Sequence, residues 1–258
     1  MYSKEELLDG LNTEIVGKKL FLFDSIDSTN TCAKTLAETG MEEGTVVLAD
    51  YQTEAKGRLG RSWLSDPGKN LLLSAIFRPS IGKEQAGLLT FFAAVSVARS
   101  LEAVTHLPVE CKWPNDLIIG EKKCCGILLE NSFSQDTIAY SIVGIGINVN
   151  QDTFDTELQS KAISLRQATG KDIDRKTILQ AVLQELDAQY RNIQNAGFDS
   201  VLHEWNKRCT MFGKTTNVAR EGATVSGTAV GLSPEGGLIL HTQHGMETVY
   251  AGDVTIIP

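Results

Sequence analysis

Residues 86–98, Ala-Gly-Leu-Leu-Thr-Phe-Phe-Ala-Ala-Val-Ser-Val-Ala, constrain the fold more than any other stretch of this chain. A helix that is apolar on every side belongs inside a protein or inside a membrane. This run is short for a bilayer, carries Thr90 and Ser96, and is followed at once by Arg99;. It reads as the central helix of a core, part of a helix over about residues 83–105.

Strands and further helices are predicted around it. Residues 20–23 read as a strand, and Asp27-Ser28-Thr29-Asn30 offers several N-cap residues ahead of Ala33, Leu36 and Ala37 at helical spacing;. Residues 45–49 and 71–77 read as strands, as do short pieces at 109–112 and 117–119. Strands over about 123–131 and 138–149 are joined by a hairpin at 132–136. A weak helical pattern covers 4–11. Leu179, Val182, Leu183, Leu186, Tyr190 and Ile193 give an amphipathic helix over 175–195, and another follows at 198–208;.

From Gly213 the pattern changes to short alternating segments (215–219, 223–231, 237–240, 248–250). They are separated by Glu221-Gly222, Pro234-Glu235-Gly236-Gly237 and His244-Gly245. Close turns between short strands predict a small barrel or roll. The expected organisation is an N-terminal extension (1–20), an α/β body (21–212) and a β-rich C-terminal domain (213–258).

The chain has 258 residues and a net charge of −8, which argues against duplex nucleic acid as its main partner;. Five cysteines (Cys32, Cys111, Cys124, Cys125, Cys209) form no Cys-x-x-Cys pair and follow no secretory leader, the usage of a reducing cytoplasm;. If Cys124 and Cys125 lie on a strand, they face opposite sides and cannot share a metal. His241 and His244 read as surface residues, and no metal site is expected.

Within this acidic chain, Lys56, Arg58 and Arg61 alternate with Gly57 and Gly60. Glycine lets backbone approach a ligand, and arginine presents a fork of donors to phosphate or carboxylate. The loop therefore suits a small polyanion; a solvated basic loop is the alternative. Lys112-Trp113-Pro114-Asn115-Asp116 joins a cation, a ring, an amide and a carboxylate in one turn. It could steer phosphate and magnesium, or it could be a structural turn with Asx-type bonds. Lys123 heads an apolar strand, where it either enters a pocket or snorkels to solvent. Gly144-Ile145-Gly146-Ile147-Asn148 ends a strand with an amide, but it lacks the third glycine and strand-to-helix order of a dinucleotide fingerprint. No Walker A sequence occurs.

Taken together, these motifs, in this order and spacing and with Gly126-Ile127-Leu128 after Lys123, resemble biotin protein ligases over about residues 20–258. The resemblance implies a class II synthetase-like mixed α/β sheet with packed helices, followed by a small SH3-like β-barrel. It implies a ligase that activates biotin with Mg-ATP as biotinyl-5′-AMP and passes it to a lysine of a biotin carboxyl carrier protein. Biotin and ATP are then substrates, Mg2+ accompanies ATP, and no prosthetic group is required. Carried over by position, Ser28, Thr29, Asn30 and Gln52 line the polar end of the biotin pocket. Lys56, Gly57 and Arg58 wrap carboxylate and phosphate with Arg61 nearby. Lys112 and Lys123 counter charge during transfer, and Asn115, Asp116 and Asn148 serve the nucleotide and its magnesium. The basic loop is expected to act as a lid. Many members read Gly-Arg-Gly-Arg-x-x-Gly-Arg there, whereas Ala55 and Lys56 stand here, so a point charge replaces a fork at position 56.

About twenty residues precede the first core strand, too few for the winged helix-turn-helix of the regulatory members. The expectation is a monofunctional, cytoplasmic enzyme with no DNA or membrane partner; the sequence leaves a homodimer open. The rival of related fold is a lipoate or octanoate ligase or transferase. The rival of another class is a non-catalytic biotin-responsive binding protein.

Overall fold

Two sheets organise the chain, and the central strands β2 and β3 of the first are buried along their whole length, on both faces. The computed structural model describes residues 2–220 and 223–257, so the expected turn at Glu221-Gly222 lies outside the described residues. In chain order the elements are α1 (Lys4–Leu8), β1 (Leu20–Phe23), α2 (Thr29–Glu38), β2 (Val46–Ala49), β3 (Leu71–Phe77), α3 (Leu88–Thr105), β4 (Glu110–Lys112), β5 (Asp116–Ile119), β6 (Lys122–Ser134), β7 (Thr137–Ile147), α4 (Leu165–Thr169), α5 (Arg175–Ala196) and α6 (Asp199–Arg208). Five further strands follow: β8 (Thr215–Arg220), β9 (Ala223–Leu232), β10 (Leu238–Thr242), β11 (Gly245–Val249) and β12 (Asp253–Ile256).

The first sheet has seven strands in the order β1-β2-β3-β7-β6-β5-β4 and is mixed, since β1 and β2 run parallel while the other neighbours are antiparallel. The second is a five-stranded antiparallel sheet ordered β11-β10-β9-β8-β12. This is the mixed α/β class with a β-rich C-terminal unit that the sequence predicts.

On one face of the large sheet, Leu71, Leu73, Ala75 and Phe77 join a core shared with α3 and α5. There α3 packs against α5, α6 and strands β4–β7. With the turn before it, this helix is long and apolar enough by composition to cross a membrane; here it fills the core instead. Phe77, Phe92 and Tyr190 meet at its centre with ring centroids 4.7–6.1 Å apart. On the opposite face, Ala33 and Ala37 of α2 pack against Val47, Ile76 and Ile142. Helix α2 covers only part of that face, and the rest borders a cavity.

Several boundaries differ from the sequence reading. The predicted hairpin at 132–136 tightens to Gln135-Asp136, because β6 and β7 keep pairing to Ser134↔Thr137. The strand expected at 248–250 belongs to β11 and ends at Val249, and β12, which the turn signals did not show, closes against β8. Its edge position is a tertiary pairing with a strand 34 to 40 residues earlier, from Asp253 with Ala219 to Ile256 with Thr216, and no local turn announces it;. Helix α1 stops at Leu8 rather than near residue 11.

Candidate active site

The cavity lies on the α2 face of the large sheet and reaches the rim of the C-terminal sheet, with a volume of about 1300 Å³. Its floor follows from strand register. Leu72, Gly126 and Gly146 are cross-strand neighbours, as are Ser74, Leu128 and Gly144, so all six share one face;. Three of the six are glycines, which leaves the sheet bare. A Cβ on Gly146 would stand 2.7 Å from Trp63 Cε2, one on Gly126 would stand 2.8 Å from Trp63 Cζ3, and one on Gly144 would overlap Asn30 Oδ1. The absent side chains thus seat an indole and an amide directly on the sheet.

One end of the cavity is polar and neutral. Ser28 caps α2, its hydroxyl accepting from Thr31 N–H, and holds Thr29 and Asn30 in the first turn. Gln52 Oε1 accepts from Thr29 N–H at 2.6 Å. Ser74, the single hydroxyl within the apolar strand β3, joins Thr29 and Asn30.

The other end is cationic. Seven of the lining side chains, Lys56, Arg58, Arg61, Lys112, Lys123, Lys161 and Lys214, are positive, against four carboxylates, Glu110, Asp116, Glu121 and Asp253. That excess inside a chain of net charge −8 concentrates attraction for an anion where field lines are confined;. The basic loop is a short finger whose ends bridge at Lys56 and Ser62, with Leu59 (φ 55°) and Gly60 (φ 72°) turning its tip. Lys56 Nζ donates to Thr31 Oγ1 at 3.0 Å, and Arg58 Nη1 donates to Asn115 Oδ1 at 3.3 Å. Burial lowers the pKa of Arg58, with Asp116 opposing the shift and Arg61 adding to it. Arg61, expected near the phosphate, lines the cavity and forms an ion pair with Asp253 on β12.

The turn between β4 and β5 borders the cavity and is also held by a structural hydrogen bond. Lys112 and Asp116 face each other across the strands and both line the cavity. Asn115 Nδ2 donates to Ile127 O at 2.6 Å, a structural bond that also presents its oxygen to Arg58. Trp113 borders the cavity with its ring buried, and its Nε1 donates to Gly236 O in the turn between β9 and β10.

Lys123 enters the cavity rather than snorkelling out, with Nζ 2.6 Å from Asp116 Oδ1 and 5.4 Å from the centre of the Trp63 ring. The contact with Asp116 is an ion pair without hydrogen-bond geometry, which leaves Oδ1 buried and without a hydrogen-bond donor. Asn148 lines the cavity too, but its amide hydrogens hold the carbonyls of Lys123 and Ile163, fixing the segment that bears Lys161.

Sequence reasoning missed Trp63, Ser74, Lys161, Lys214 and Asp253 as members of this site. Trp63 directly follows the basic loop and Ser74 interrupts an apolar strand, so both left a trace; the other three did not. The cysteines are unsuited to nucleophilic work. Cys111, Cys124 and Cys125 are buried, and burial pushes the Cys124 thiol up to about 12 and the Cys209 thiol to about 11;.

A neutral, hydrogen-bonding pocket that continues into a cationic one suits a protein that joins a small polar acid to a nucleotide phosphate. Known proteins agree at that level. The model of the Biotin/lipoate A/B protein ligase family matches residues 22–148, and that of the biotin protein ligase C-terminal domain matches residues 211–256. The chain belongs to the biotin protein ligase family. The bifunctional ligase/repressor BirA of Bacillus spizizenii is 38% identical over 256 residues, 98% of this chain and 79% of that protein. The biotin–[acetyl-CoA-carboxylase] ligase of Paracoccus denitrificans is 30% identical over 88% of this chain and 96% of its own length. Among solved structures, the biotin protein ligase of Aquifex aeolicus in complex with biotin and ATP superposes with a TM-score of 0.80 at 34% identity, covering 93% of this chain and 99% of that one.

Proposed function

We propose that this chain is an ATP-dependent ligase that activates biotin as biotinyl-5′-AMP and transfers it to a lysine of a biotin carboxyl carrier protein. The observation that carries the reading is the continuity of the two pockets over one glycine floor. It lets a carboxylate and a phosphate, which repel each other, be held side by side.

In the first step a biotin carboxylate oxygen attacks the α-phosphorus of ATP. The bond to the β-phosphate oxygen breaks and pyrophosphate leaves. In the second, the amine of the carrier lysine attacks the acyl carbon, the acyl–phosphate bond breaks and AMP leaves, the amine giving up its proton. No enzyme nucleophile is needed.

Ser28, Thr29, Asn30 and Gln52 hold the ring end of biotin, and Trp63 on Gly126 and Gly146 walls its apolar part. Lys56, Gly57 and Arg58 wrap the carboxylate and the α-phosphate. Lys112 and Lys123 neutralise charge that grows on the phosphate as it is attacked, where fixed cations act most strongly. Arg61, Asn115, Asp116 and Asn148 serve the nucleotide. Mg2+ arrives with ATP, and the Asp116 carboxylate is the type of oxygen ligand it takes. Asp116, paired with Lys123, also stands where it can steer the incoming amine. We place the enzyme in the cytoplasm, in keeping with its free thiols, and assign it neither DNA nor membrane as partner, in keeping with its net charge. A homodimer is compatible with this reading.

The test is incubation with biotin, Mg-ATP and a carrier-domain fragment. The expected result is a mass gain of one biotinyl group on the fragment, with pyrophosphate released. Transfer of lipoate or octanoate instead would point to the ligase of related fold, and tight biotin uptake without pyrophosphate would leave only a binding protein.

A further inference from the structure

Glu130 has no part in the reading above, yet it ends a row of polar contacts that begins at the cavity wall. Gln52 Oε1 lies 3.0 Å from Thr29 Oγ1, which lies 2.8 Å from Ser74 Oγ, which lies 2.6 Å from Asn30 Oδ1. Asn30 Nδ2 then donates to Glu130 Oε2 at 2.6 Å. Thr29, Asn30 and Ser74 are no more than 4% exposed, so solvent cannot compensate for a misdirected proton;.

The row holds four oxygens in three contacts but only two protons, one on Ser74 and one on Thr29, because amide oxygens can only accept. Glu130 decides how the two are shared. A carboxylate accepts and does not donate, so the Asn30 amide has to turn its NH2 to Glu130 and its oxygen to Ser74. Ser74 then gives its proton to Asn30. The Thr29 hydroxyl, within reach of Gln52 Oε1 at 3.0 Å and of Ser74 Oγ at 2.8 Å, gives its own to Ser74, where the closer pair of oxygens would otherwise repel;. The contact left without a proton is the one between Thr29 and Gln52, which is the longest of the three. Gln52 Oε1 does not need it, since it already accepts from Thr29 N–H at 2.6 Å. With this order the remaining lone pairs of Thr29 Oγ1 and Asn30 Oδ1 are free for the cavity, and Asn30 sits over Gly144 with no side chain beneath it.

We propose that Glu130 is a positioning residue that fixes the Asn30 amide and, through Ser74, the proton order of Thr29. The polar end of the cavity thereby accepts hydrogen bonds and selects a ligand by its N–H groups. The inference rests on the biotin reading, in which the ureido ring supplies two N–H donors.

Glu130→Gln keeps the shape but adds a donor. Asn30 can then turn over, and the row runs in the other direction with a proton in every contact, offering a donor where an acceptor stood. Biotin affinity, measured by calorimetry, is expected to fall roughly 10-fold, the range of one charge-assisted hydrogen bond, while Mg-ATP affinity stays within about twofold. In an Asn30→Ala background the same change should cost less than about twofold, because the link is already cut. Glu130→Asp, which also only accepts, should bind biotin better than Glu130→Gln. Thermal unfolding of each variant reports whether it is folded. Unchanged biotin affinity in Glu130→Gln, an equal loss for Mg-ATP, a full loss persisting without Asn30, or Glu130→Asp ranking below Glu130→Gln would each overturn the role of Glu130. Wild-type protein that takes up no biotin would overturn the functional reading itself, and this inference with it.

Discussion

Lys123 shows how one side chain can be read in two ways until its neighbours are known. At the head of an apolar strand a lysine usually bends to water. Here Asp116 and the Trp63 ring hold its ammonium inside the cavity. Lys123→Met keeps the apolar stem and much of the volume, so packing changes little. Removing a cation aimed at developing charge should slow adenylation about 100- to 1000-fold, or ~2.7–4 kcal/mol in the transition state. Transfer from supplied biotinyl-5′-AMP should suffer less, because the phosphate is then the leaving group. Pyrophosphate release within threefold of wild type would return Lys123 to a structural role.

At the scale of the element, the glycine floor and the basic finger are one device, since Trp63 ends the finger and rests on the floor. Gly146→Ala puts a methyl group 2.7 Å from the indole, so the ring has to move. Overpacking of about 1–3 kcal/mol predicts biotin binding roughly 10- to 100-fold weaker, with Mg-ATP binding less affected. Equal titrations for mutant and wild type would remove Trp63 from the pocket wall. The finger itself carries Lys56, Arg58 and Arg61 on few buried contacts, the profile of a segment that opens easily;. Trypsin should cut residues 54–62 in the free protein and be slowed by biotin plus ATP, because ordering around an anion removes the open state. Identical cleavage rates would rule out a closing loop.

For the whole molecule, stability depends on carboxylates far from the site. Asp187 on α5 is 2% exposed, and its Oδ1 accepts from the N–H groups of Glu14, Ile15 and Val16, tying the N-terminal segment to the helix. Burial raises its pKa, but the three backbone donors, with Arg191, outweigh that and hold it below the usual value. A depressed folded-state pKa stabilises the protein above the unfolded value of about 3.9, and that share is lost as pH falls through the folded value. Asp187→Asn should therefore lower stability at neutral pH by about 1.5–3 kcal/mol, the worth of hydrogen bonds to a charged group, and the deficit should shrink in acid. Denaturant titrations at pH 7 and below pH 3 measure both; the same deficit at both would show that charge is not the cause. The C-terminal unit joins the body through the same hydrophobic cluster, in which Leu238 and Leu240 share the core with Leu88 and Phe91, and the Trp113–Gly236 hydrogen bond and the Arg61–Asp253 ion pair add to it.

The local pattern alone determined most of the elements. The apolar run became α3 because no face of it tolerates water, and the α2 cap was legible because Ser28 is the kind of residue that accepts a helix's first free N–H;. The basic finger, the Lys112 turn and the paired glycines each allowed a structural reading alone, and it was their joint order and spacing, as a resemblance, that pointed to chemistry. Tertiary structure decided what the sequence left ambiguous. It chose the cavity for Lys123, partners in the C-terminal unit for Trp113 and Arg61, and backbone carbonyls for the Asn148 amide hydrogens. It also revealed Ser74, Asp253 and Glu130, each an ordinary residue on its own strand. Their roles come from register across β3, β6, β7 and β12, and register is set by long-range pairing that no short window of sequence contains.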